Sequence, residues 1–114
     1  MPNPDEFTDI LVECSVASYV DYQRVCVDAR GRRFRVKIHS DPSYPRQSRG
    51  AVELWDGVKW HGVHYVDPMA HVDMWQRLNG YLPPQRHPAV KQEAARFGAA
   101  LLRVALAVVG ESTG

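Results

Sequence analysis

Residues 33–39 read Arg33-Phe34-Arg35-Val36-Lys37-Ile38-His39, an unbroken alternation of basic and apolar side chains. Successive residues of a strand point to opposite faces, so Phe34, Val36 and Ile38 line one side and Arg33, Arg35, Lys37 and His39 the other. A helix would scatter both sets around its axis. One face of this strand is core, and the other is wet and basic.

Upstream, Ile10, Val12, Cys14 and Val16 recur at every second position and predict a strand with one buried face. A second strand is expected over residues 22–27. Between it and the basic strand, Asp28-Ala29-Arg30-Gly31-Arg32 reads as a tight hairpin, with Gly31 free to take positive φ. A first hairpin turning near Val20 would set Cys14 and Cys26 opposite each other as buried thiols. Downstream, residues 40–50 contain Asp41-Pro42, Tyr44-Pro45 and Gly50, and read as a loop because proline denies a ladder its donors. Residues 51–66 then read as a hairpin around Asp56-Gly57, a type I′ turn signal. That register sets Trp55 opposite Val58 and Glu53 opposite Trp60. It puts Trp55, Val58 and Trp60 on one face, and Val52, Leu54, Val63 and Tyr65 on the other.

Helical signals follow. Asp67-Pro68 supplies a cap and a first-turn proline, and His71, Met74, Trp75 and Leu78 share a face up to the stop at Asn79-Gly80. After a proline-punctuated connection, a second helix is expected over residues 89–109. It is apolar nearly all round from 97 to 109, so it either lies across the sheet or supplies half of a homo-oligomer interface through residues 97–109. The expected fold is α+β: an antiparallel sheet of about five strands over residues 9–66, followed by helices at 68–79 and 89–109, in a single domain spanning 1–114.

Composition narrows the function classes. The chain has 114 residues, 45% hydrophobic and 24% charged, which fits one globular domain and excludes wholesale disorder or a fibrous repeat. Two cysteines are too few for a disulfide scaffold or a four-cysteine zinc site. The apolar stretch 97–109 covers 13 residues and includes Arg103, against the roughly 20 that a bilayer requires. With a polar, acidic start unlike a secretory leader, the expectation is a cytoplasmic protein with no membrane partner. The formal net charge of +1 conceals a segregation. Residues 1–21 hold Asp5, Glu6, Asp9, Glu13 and Asp21 with no Lys or Arg, while residues 22–60 are basic. These two blocks either pair within the fold or leave a basic face for an acidic partner.

Two constellations could carry chemistry. His61, His64, Asp67, His71 and Asp73 offer metal-ligand types close together in sequence. A regular strand would turn His61 and His64 to opposite sides, although a kink at Gly62 would let His64, His71 and Asp73 converge. No phosphate-cradling glycine motif or G-x-S-x-G nucleophile turn is present, and no cofactor is expected. The second constellation is the basic face: Arg33, Arg35 and Lys37, with Arg24 from the neighbouring strand and Arg30 and Arg32 at the turn. Two alternative surfaces are the proline loop, with Arg46 and Arg49, and the later hairpin, with Trp55 and Trp60. Guanidinium groups present a fork suited to carboxylate and phosphate. The expected function is a small non-catalytic interaction protein binding a macromolecule through the basic sheet face, the proline loop or the tryptophan hairpin. A protein partner stands ahead of nucleic acid because the net charge is near zero. The alternatives are a nucleic-acid-binding module and a metal-dependent hydrolase built on the His61–Asp73 cluster.

Overall fold

The structure is a computed structural model that describes residues 7–16, 20–40, 49–66 and 87–113. Five strands, β1 (Phe7–Val16), β2 (Val20–Asp28), β3 (Arg33–Ser40), β4 (Arg49–Trp55) and β5 (Trp60–Val66), precede one helix, α1 (His87–Thr113). The sheet runs β1-β2-β3-β4-β5 with every neighbouring pair antiparallel. The architecture is α+β, as the sequence indicates. The helix expected at 68–79 lies outside the described residues. Among those described, no helix is long and apolar enough to cross a membrane.

β3 occupies the centre, and its alternation sets the layers. Phe34, Val36 and Ile38 are buried against α1, joined by Tyr22 and Cys26 from β2 and Val52 from β4. The helix returns Val90, Ala94, Phe97, Leu101 and Ala105 at spacings of three and four, a single stripe, with Leu102 and Val109 beside it. It touches every strand of the sheet. Gly98 permits the close approach, since a Cβ there would stand 3.0 Å from the Tyr22 ring. α1 begins and ends a little beyond the expected 89–109, with Pro88 in its first turn, where a missing N–H forfeits no bond.

The β2–β3 connection is as expected. Asp28 N–H donates to Arg32 O, Gly31 N–H donates to Asp28 O, and Gly31 takes φ +84°. The Asp28 carboxylate is buried and accepts from Arg30 N–H, Arg32 N–H and Arg32 Nε. A buried carboxylate with three donors is satisfied.

Three expected registers are corrected. In β1 the ladder slips between Asp9 and Leu11, leaving Ile10 without a partner, so the simple alternation from Ile10 to Val16 fails. Ile10 and Val12 are 54% and 52% exposed, because β1 is an edge strand at the margin of the helix. The first hairpin pairs Val16 with Val20, which places Cys14 opposite Tyr22 and Cys26 opposite Asp9. The two thiols are therefore not cross-strand partners. In the β4–β5 hairpin Trp55 faces Trp60, and Asp56 N–H donates to Lys59 O. Gly57 has φ +101° and, among the described residues, none other than glycine has positive φ, which excludes type I′ and matches the II′ pattern. The apex moves to Gly57-Val58 because the Asp56 side chain takes over the closing bond, accepting from Val58 N–H at 2.7 Å and Lys59 N–H at 2.8 Å.

Candidate functional site

Directly opposed residues on neighbouring strands share a face, so the register sorts every candidate side chain. Arg33, Arg35, Lys37 and His39 share the face away from α1 with Arg49 from β4. Trp55 and Trp60 pair on this hairpin with ring centroids 5.3 Å apart. Arg24 does not join them. It stands opposite Val36 and Val12, on the helix side, where it binds Asp9 at 2.6 Å and lies over the Phe7 ring. The cause is the parity of β2: Tyr22, Arg24 and Cys26 share one face, and Tyr22 and Cys26 are core. Arg32 turns back to Asp28 and lies over Phe34. Arg30 is exposed at the turn, and Arg46 lies outside the described residues.

Three cross-strand rows cross the middle of the face, beside the row that carries Arg33. The first runs Ser15, Asp21, His39, Arg49. The second runs Glu13, Gln23, Lys37, Ala51, Tyr65, and the third Leu11, Val25, Arg35, Glu53, Gly62. A hollow of about 650 Å³ lies over the first two rows and draws on all five strands. Ala51, the smallest side chain of the second row, stands between Lys37 and Tyr65.

The charges of the face are mixed. Glu53 accepts from Arg35 Nε at 2.8 Å, and the same guanidinium sits 4.4 Å from the Trp60 ring centroid. Asp21 accepts from His39 Nδ1 at 2.7 Å. The first pair neutralises a cation that the sequence offers as free, and the second occupies the His39 ring. Arg33, Lys37 and Arg49 are exposed and have no ion pair among the described residues, and the same holds for Glu13. Over the hollow, the acids that no guanidinium engages, Glu13 and Asp21, stand on β1 and β2, and the cations without an ion pair among the described residues, Lys37 and Arg49, on β3 and β4; Glu53 of β4 also lines the hollow but is held by Arg35.

Sequence reasoning missed Glu13, Asp21, Gln23 and Tyr65 as members of this face. The first three were available from parity, since they alternate with Cys14 and Tyr22. Tyr65 was not, because a bulge between β4 positions Val52 and Glu53 and the opposing Gly62 and His64 reverses the alternation of β5. Tyr65, expected beside Val52 and Leu54, instead faces Ala51 and is 61% exposed. The same bulge brings His61, opposite Leu54, and His64, opposite Val52, to one side of the sheet.

That arrangement does not assemble a metal centre. His61 Nε2 bonds the Asp56 carboxylate at the hairpin tip, and among the described residues no three His, Cys, Asp or Glu side chains converge. His71 and Asp73 lie outside the described residues. Neither thiol is activated: burial pushes Cys26 up to about 11 and raises Cys14 as well. Comparison with protein-family models, with curated proteins and with solved structures finds no match to this chain.

Proposed function

We propose that this chain is a non-catalytic interaction protein that docks a partner protein on the open face of its sheet. The observation that carries the reading is the hollow shared by all five strands, where Lys37, Arg49 and Tyr65 are exposed. A face with both charge signs and an exposed ring suits the polar, aromatic-anchored character of protein interfaces. A polyanion would gain less, because Arg24, Arg32 and Arg35 are already held by Asp9, Asp28 and Glu53. Backbone-phosphate binding requires several unpaired cations along one track.

A photo-crosslinking residue at Gln23, in the hollow, and one at Arg103, on the exposed side of α1, test the reading in cells. The expected result is a protein adduct at position 23 that survives nuclease treatment and has no counterpart at position 103. Adducts confined to position 103, or a position-23 adduct lost with nuclease, would overturn it.

A further inference from the structure

Resting on the docking reading above, we infer that the hollow takes an extended, proline-rich polypeptide segment crossing the strands, with a cationic and an anionic side chain three residues apart. The register supplies the spacing. Glu13 on β1 and Lys37 on β3 belong to one row, two strands apart, and Asp21 on β2 and Arg49 on β4 are likewise two strands apart in the row beside it. Strands lie about 4.8 Å apart, so each acid and the base two strands on are separated by roughly 10 Å.

An occupant complementary to this pattern carries a positive group over Glu13 and Asp21 and a negative group about 10 Å away, over Lys37 and Arg49. In a regular strand, side chains three apart point to opposite sides. A polyproline II segment has three residues per turn and rises about 3.1 Å per residue, so its residues i and i+3 lie on one side about 9.3 Å apart. That matches the separation of the two charge stripes. At the β5 end of the row, the exposed Tyr65 ring offers the flat apolar surface on which proline packs. The hollow is also concave, which favours a rod-like segment over the flat face of a second copy.

The test uses the full chain and blocked hexapeptides, read by backbone amide shifts at Gln23, Lys37, Ala51 and Tyr65. The probe is acetyl-Pro-Lys-Pro-Pro-Glu-Pro-amide. Its comparators carry the same two charges on adjacent residues, or two glutamates, or two lysines, in the same frame. The spaced peptide is expected to bind about two- to fivefold more tightly than the adjacent-charge peptide, the range one exposed ion pair provides. Glu13→Lys with Asp21→Lys should abolish that preference and favour the two-glutamate peptide. Adding Lys37→Glu and Arg49→Glu should restore binding of the spaced peptide, because the stripes are then only exchanged. All four positions are exposed, so the fold tolerates the swaps.

Equal binding of the two-glutamate and spaced peptides to the native chain would reduce the face to a cation patch and overturn the inference. So would amide shifts driven by protein concentration alone with a sedimenting dimer, which would make a second copy the occupant. If no peptide shifts these amides while the position-23 crosslink to a protein persists, the inference falls and the docking reading stands. If the crosslink is absent too, both fall.

Discussion

Two aspartates perform the same task at two turns on the same end of the sheet, under different exposure. Asp28 is buried and holds the β2–β3 turn, whereas Asp56 is exposed and holds the β4–β5 tip. Bonds from Lys59 N–H, the His61 ring and Val58 N–H depress the Asp56 carboxyl to about 2. A group depressed in the folded state contributes stability above its unfolded value of about 3.9, and loses it as pH falls through the folded value. The denaturant midpoint of the native chain should therefore drop between about pH 5 and pH 2. Asp56→Asn, which keeps the Asx bonds but does not titrate, should flatten that drop, and superimposable pH profiles would contradict the assignment. Next to it, Gly57 at φ +101° meets no neighbouring atom within 4 Å, so only backbone strain opposes a side chain there. Gly57→Val should cost about 1–2 kcal/mol in chemical denaturation. An unchanged midpoint would mean that the tip does not hold this conformation.

Among the elements, legibility followed regularity. β3 is central and, among the described residues, covered on one face only, so its alternation survives intact in the sequence and fixes Arg33, Arg35 and Lys37 on the side away from the helix. β1 and β5 are edge strands with slipped ladders, and a bulge leaves little compositional trace beyond a stray glycine such as Gly62. That is why Tyr65 and Ile10 were misplaced. Arg24 was misplaced for a different reason: its parity with Tyr22 and Cys26 is visible in the sequence, but its charge drew it toward the basic strand. Charge type suggests a neighbourhood, while strand parity decides the face. The helix–sheet seam is equally specific. At Gly98, the 3.0 Å approach to Tyr22 leaves no space for a branched side chain. Gly98→Val should destabilise by roughly 1–3 kcal/mol through overpacking, read as a lowered denaturant midpoint, and a stabilised variant would show that the seam can open.

At the scale of the whole molecule, folding converts a segregated charge sequence into local pairs. Acids from the N-terminal block meet bases of the next one, as Asp9 meets Arg24 and Asp21 meets His39. These pairs are partly exposed, so raised salt should alter stability little. The core depends on α1. Leu102 is 1% exposed, and Leu102→Asp would bury an unpaired charge, costing several kcal/mol and eroding cooperative unfolding. Val104, two positions along, is 44% exposed, so Val104→Asp should leave the melting temperature nearly unchanged. A fall in sedimentation coefficient with Val104→Asp alone would identify the outer side of α1 as the oligomer interface that residues 97–109 suggest, and similar losses from both substitutions would contradict the packing.

The nearest-neighbour order of the strands also sets a tempo. Each strand joins its sequence neighbour, so the sheet grows by successive hairpin closures, and the longest return of the chain is made only when α1 lands. Short closures sacrifice little chain entropy before they are rewarded, which places such a topology among the faster mixed folds. Hairpin formation takes microseconds, whereas the arrival of α1 is the event that seals the apolar layer between helix and sheet. During that interval, β1 and β5 are the surfaces at which a nascent chain is most vulnerable to its own copies.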